Sequence, residues 1–202
     1  AWRDAEQDGR LHIAVDLQGH TAGGRMGVFA ARVAPIQLHY LAYAGTLGMP
    51  GSIDYLVTDP VIVPPAAKPH FSEKLIELPD SYQVNDRARP IDPQRPSRAE
   101  LGLPADGFVF CCFNNNYKIR RDVFAIWMSV LRERPGSMLW LLADHAETVQ
   151  NLRAAAEDHG IDPHRLVFAE RASLPRHLAR HAQADLFLDT WPYSAHTTAS
   201  DA

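Results

Sequence analysis

Cysteine, net charge and long apolar runs are all scarce in this chain, and each shortage removes a class of protein. The two cysteines, Cys111 and Cys112, are neighbours on one apolar run, where successive side chains of a strand point to opposite faces. They are not placed to bond each other, so no disulfide framework is expected and a reducing, cytoplasmic compartment fits best. The formal net charge of -4 offers no basic face for nucleic acid. No apolar stretch approaches the roughly 20 residues of a membrane span, and no charged-then-apolar leader is legible at the start. No serine elbow, glycine-rich Walker loop or paired cysteine cluster occurs, which leaves hydrolase, P-loop and zinc chemistry with little support.

What is present is a chain of 202 residues, 46% hydrophobic, long enough for one large or two small cores. From residue 106 onward short apolar runs alternate with helical periodicity, the pattern of a parallel sheet with crossover helices. "FVFCCF" (108–113), "MLWLLA" (138–143), "RLVFAE" and "DLFLDT" (185–190) read as strands. Between them lie a helix from Arg120 to Arg134, one over "ETVQNLRAAAEDHG" closing on Gly160, and a short one from Leu174 to Ala182. Val123, Ile126, Trp127, Val130 and Leu131 form the expected inward stripe of the first of these helices. The first half is similar in kind, with strands over "LHIAVDL" (11–17), "PIQLHYLAY", "DYLVTD" and "EKLIELP", and a helical turn or two over "MGVFAAR". Residues 80–105 carry Pro90, Pro93, Pro96 and Pro104 among charges and read as an interdomain linker. A boundary near residue 100 gives two units, 1–100 and 101–202.

Open α/β sheets bind ligands beyond the carboxyl ends of their strands, so the segments that follow strands carry the weight. In "NNNYK" (114–118) the asparagines suit a tight turn and Lys118 offers a point charge to a phosphate. In the last segment, "LDTWPYSAHTTASDA", His196, Thr197 and Thr198 bring hydroxyls and backbone N–H groups to a helix start, a natural anion site. An ordinary threonine cap explains one threonine there but gives His196 and Asp189 no role. On "ERASLPRHLARHAQAD", His177, Arg180 and His181 stand one helical turn apart and suit a base or ribose at the rim, against a solvated helix face for His181. The loop "QGHTAGGR" permits close backbone approach but is common, and without more it reads as an ordinary loop. The residues alone therefore point to an α/β protein holding a phosphorylated, nucleotide-like ligand.

The ordered set "GHTAGGRMGVFAARVAPIQ", "DYLVTD", "SEKLIELP", "CCFNNNYKI" and "LDTWPYSAHTTASD" resembles the catalytic region of the protein O-GlcNAc transferase family, which includes the SPINDLY-type enzymes. The resemblance implies a GT-B fold of two Rossmann-like domains, both incomplete here: residues 1–100 as the later part of the first with the linker, and 101–202 as the earlier part of the nucleotide-sugar-binding domain. It further implies a parent with tetratricopeptide repeats, and a chain that is an internal fragment, inactive in isolation.

The implied activity is inverting, metal-independent transfer of GlcNAc from UDP-GlcNAc, a donor substrate rather than a cofactor, to Ser or Thr hydroxyls of a protein acceptor. Neither nucleic acid nor membrane is a partner. Carried over by motif, Lys118 contacts the diphosphate and stabilises the leaving UDP, and His12 matches an active-site histidine near the acceptor. His196, Thr197 and Thr198 hold the phosphates and sugar, Asp201 the ribose, Ala172, His177 and Arg180 border the uracil, and Asn115 sits where the family often has a glutamine near the nucleotide. Two departures stand out: Ala42 and Ala44 replace a glycine and a proline beside the sugar pocket, and Leu174 stands where many relatives have a lysine near the ribose. The proton of the attacking hydroxyl goes to His12 or to the donor's own phosphate. Competing readings are a SPINDLY-like fucosyltransferase using GDP-fucose, which His196 disfavours, and a non-catalytic fragment that binds nucleotide or a partner.

Overall fold

The computed structural model describes residues 11–202. They divide into two compact units, one running to Val84 and the other beginning at Asn85. Both are α/β with parallel sheets, the class expected from the alternating pattern.

The first unit carries β1 (Ile13–Asp16), α1 (Met26–Ala30), β2 (Ile36–His39), β3 (Tyr55–Thr58) and β4 (Lys74–Glu77), with a 3₁₀ turn at Pro65–His70. Its strands pair in the order β1-β2-β3-β4, all parallel, with Ile13 opposite Ile36 and Leu56 opposite Leu75. The apolar core on one face is small: Phe29, Leu47 and Ile53, with Ala14, Met26 and Val28 packed against it. The side chains of Ile13, Val15, Leu17 and Ile36 are exposed, while the buried positions of β2 are the polar Gln37 and His39.

The second unit carries β5 (Val109–Cys112), α2 (Arg121–Glu133), β6 (Met138–Leu142), α3 (Ala146–Asp158), β7 (Leu166–Ala169), α4 (Leu174–Arg180), β8 (Leu186–Phe187) and α5 (Thr197–Asp201). The parallel sheet has the order β7-β6-β5-β8. The chain thus builds outward from β5 through β6 to β7 and then returns to β5's other edge, so the order reverses between β5 and β8. That reversal is the switch point at which doubly wound sheets open a ligand crevice.

All of β5 is buried because both faces of the sheet are covered. Phe110 and Cys112 join Leu139, Leu141 and the α2 residues Trp127 and Met128 in one layer. Val109 and Cys111 join Trp140, Leu142 and Leu103 in the other. The cysteines therefore do point to opposite faces, and burial pushes their thiols up to about 12 for Cys111 and about 11 for Cys112.

Three expectations need adjusting. The buried stripe of α2 is Val123, Phe124, Trp127, Met128 and Leu131, whereas Ile126 is 62% exposed. The Val123–Trp127–Leu131 line does face the sheet, but the helix leans on the flank that carries Phe124 and Met128. The strand expected over 185–190 is only Leu186–Phe187, because after Leu188 N donates to Cys111 O the Asp189 carboxylate turns the chain by accepting from Thr190 N and Ala195 N. The proline-bearing stretch has little regular structure, a 3₁₀ turn at Ala99–Leu101. From Asn85 on it is fastened to the second unit, with Asp92 N bonded to Pro175 O and Arg98 to Asp185. Among the described residues no helix is long and apolar enough to cross a membrane.

Candidate functional site

At the switch point of the second unit, the loop after β5 and the loop after β8 are tied together by one buried side chain. Asn114, 1% exposed, lies two residues beyond the end of β5. Its Nδ2 donates to Asp189 Oδ1 at 3.2 Å and Thr190 Oγ1 at 2.9 Å, and its Oδ1 accepts from Thr198 Oγ1 at 2.7 Å. Buried amides must satisfy both ends, and this one does so by fixing the loop and α5 at once. Sequence reasoning missed Asn114. The only signal for it was its place as the first asparagine after an apolar strand.

Lys118 ends a 3₁₀ turn, Asn116–Lys118, on the same loop. Its Nζ donates to Ser194 O at 3.2 Å and stands 3.9 Å over the Tyr193 ring, so the ammonium is held by the loop after β8 through a carbonyl and an aromatic face. Among the described residues no carboxylate is bonded to it, and its charge is placed to meet an anion. The nearby His196 is half-buried; burial and then the Lys118 charge pull its pKa below the ordinary histidine value, against the opposing effect of Asp189. The imidazole is neutral at pH 7.

On α4, hydrogen bonding fixes the tautomers of two histidines. Arg180 is only a donor, and its Nη2 lies 2.5 Å from His177 Nδ1, so that nitrogen accepts and the proton is on Nε2. His177 Nε2 in turn donates to His181 Nε2 at 3.3 Å, leaving His181 Nδ1–H buried without a partner among the described residues. Burial is the leading cause that lowers both pKa values, reinforced by the Arg180 charge, and His181 falls to about 4. The Arg180 guanidinium is packed 4.4 Å from the Phe113 ring centre and donates through Nη1 to Glu170 O at 2.7 Å. His181 is 8% exposed, so the solvated-face alternative does not hold for it.

These groups border an open cleft of about 370 Å³ whose walls include Asn115, Lys118, Ala172, His177, Arg180 and Thr198. The size is within the range of small-ligand sites. The cleft joins residues from the loops after β5 and β7, from α4 and from α5, which sequence reasoning had named separately. Thr197, the first residue of α5, is exposed. Asp201, at the end of α5, acts electrostatically on His177 and is engaged by Arg89. Among the described residues no group of three or more His, Cys, Asp or Glu side chains converges as a metal site.

His12 is not part of this gathering. It belongs to the first unit, exposed, at the amino end of β1, with its carbonyl accepting from Ile36 N. At the carboxyl end of that strand stands instead His20, whose Nε2 donates to Leu47 O at 2.9 Å and whose ring meets Tyr43 edge-on.

Comparison with known proteins gives a consistent set of similarities. Residues 2–94 and 92–202 match glycosyl transferase family 41. The chain is 38% identical over 197 residues to SEC of Arabidopsis thaliana, a probable UDP-N-acetylglucosamine–peptide N-acetylglucosaminyltransferase, covering 95% of the chain and 20% of that protein. It is 32% identical over 201 residues to the Petunia hybrida protein SPINDLY, named for the same activity, covering 97% of the chain and 21% of that protein. Among solved structures, a mutant of the Thermobaculum terrenum O-GlcNAc transferase superposes with a TM-score of 0.84 at 31% identity, over 100% of the chain and 38% of that one. The chain thus spans about a fifth of the length of the curated relatives it matches.

Proposed function

The chain belongs to glycosyl transferase family 41 and has the α/β organisation of a GT-B fold, and from that premise we propose that it is part of a protein O-GlcNAc transferase whose second unit holds UDP-GlcNAc. The observation that carries the reading is the cleft at the switch point, where Lys118, bonded to no carboxylate among the described residues, presents a cation beside Asn115, His177, Arg180 and Thr198. The nucleotide's base and ribose lie along Ala172, His177, Arg180 and Asp201, and its diphosphate lies toward Lys118 and the His196, Thr197 and Thr198 segment.

In the reaction a Ser or Thr hydroxyl oxygen of the acceptor protein attacks the anomeric carbon with inversion. The bond from that carbon to UDP breaks, and UDP leaves with the electron pair. Lys118 stabilises the charge that grows on the leaving diphosphate, a role that needs no metal. The hydroxyl proton passes to a base, either His12 of the first unit or the donor's own phosphate. His196, neutral at pH 7, is suited to donate a hydrogen bond to sugar or phosphate without adding charge.

Parallel titrations of UDP and GDP into the chain test the donor assignment, followed by transfer of labelled GlcNAc to protein acceptors by the parent enzyme. Preference for UDP and incorporation of GlcNAc are the expected results. Preference for GDP would replace this reading with the fucosyl one, and binding without transfer by the parent would replace it with a nucleotide-binding role.

A further inference from the structure

Arg89 reaches the cleft region from a segment that sequence reasoning left as linker. Its Nη1 donates to Asp201 Oδ1 at 2.6 Å, across 112 positions of sequence. The pair is sheltered, with the arginine side chain 21% exposed and the aspartate side chain 7%. The arginine is held at its root by a tight turn, in which Asp86 Oδ1 accepts from Ala88 N and Asp86 O accepts from Arg89 Nε. Just beyond, Asp92 N bonds to Pro175 O and fastens the segment to α4. The guanidinium is therefore presented by a fixed turn rather than by a loose tail.

The other end of the contact is also fixed. Asp201 lies one helical turn beyond Thr198, which lines the cleft, so the two share a face of α5. Asp201 is close enough to His177, on the cleft wall, to act on its charge. Arg89 takes Oδ1, and among the described residues Oδ2 makes no hydrogen bond. The wall nearby at Leu174, 45% exposed, offers no polar group. A carboxylate with one oxygen anchored and the other without a hydrogen bond retains capacity to accept from a hydroxyl, and its orientation depends on the anchor.

We propose that Arg89 is a positioning residue for the donor's ribose: it orients Asp201 so that Oδ2 accepts from a ribose hydroxyl. The proposal rests on the nucleotide reading of the cleft and goes beyond it by assigning a function to the segment that begins the second unit. Arg89 touches no donor atom itself and acts only through Asp201. A tie that merely held the segment in place would leave recognition of the ribose hydroxyls unchanged.

The test compares UDP with 2′,3′-dideoxy-UDP, by calorimetric titration into the unaltered chain, Arg89→Ala and Arg89→Lys, with thermal unfolding of each protein alongside. The unaltered chain is expected to bind UDP about tenfold more tightly than the dideoxy analogue. In Arg89→Ala that gap narrows to about twofold, almost wholly through weaker UDP binding, and Arg89→Lys restores part of it. A folded Arg89→Ala protein that keeps the full gap overturns the positioning role while leaving the donor reading intact. Failure of the unaltered chain to bind either nucleotide overturns both.

Discussion

The two units place polar groups in opposite ways. In the first, the buried positions of β2 are Gln37 and His39, and their hydrogen bonds hold loops. Gln37 accepts from Val33 N and donates to Phe29 O and Ser52 O. His39 bridges Asp16 Oδ2 and Tyr43 O at 2.6 Å on either side, and the same Asp16 carboxylate accepts from Gly19 N. Gly19 is needed there: its φ is +56°, and a Cβ would stand 2.8 Å from the Tyr43 Cβ. In the second unit the buried positions of β5 and β6 are apolar on both faces, and the polar groups collect beyond the strand ends, around Asn114, Lys118 and Arg180. The first unit uses buried polarity to shape its loops. The second uses an apolar sheet as a platform and keeps its charges at the cleft.

Substitutions sharpen this contrast. The largest effect is expected for Trp140→Ala, which empties a fully buried site between the sheet and the Phe113 ring. It should lower the stability of the second unit by about 3–5 kcal/mol, read by denaturant unfolding with Trp127 fluorescence. Asp16→Ala in the first unit leaves His39 and Gly19 N without their acceptor and is expected to cost about 3 kcal/mol, seen as faster amide exchange over the 18–24 and 40–47 loops. A cost near zero would mean that the polar network does not hold that unit together.

Acid should act on the second unit next. His177 and His181 have folded pKa values below the ordinary 6.5, His181 at about 4, so between those values the unfolded state binds more protons than the folded one. Their contribution is complete above pH 6.5 and is lost as pH falls from there to about 4. The melting temperature of the second unit should fall across that window, and His181→Phe should flatten the fall. The smallest effect is expected at Val15→Thr, because that side chain is 47% exposed on the first sheet; its stability should stay within about 0.5 kcal/mol.

How much of this was legible beforehand differs between the units for the same physical reason. Periodicity reports burial, so the strands and helices of the second unit, with apolar layers on both faces, could be read almost to their ends, β8 excepted. Ile126 escaped because helical spacing also fits a stripe rotated about the helix axis, and packing selected the flank of Phe124 and Met128 instead. In the first unit the strand patterns were visible, but the role of Gln37 and His39 was not, since buried polar residues leave no periodic mark. The residues of the cleft were nameable one by one from motifs. Their convergence depends on the strand order β7-β6-β5-β8, which no local pattern encodes. Asn114 and Arg89 act on partners 75 to 112 positions away, and local spacing cannot show such pairs.

The most direct measurement is calorimetric titration of UDP into the chain and into Lys118→Ala, with unfolding curves confirming that both proteins are folded. Saturable binding of UDP to the unaltered chain, weakened about tenfold or more in the variant, is the expected result. Equal affinity in the two proteins, or no binding to the unaltered chain, would contradict the assignment of the switch-point cleft as the nucleotide-sugar site.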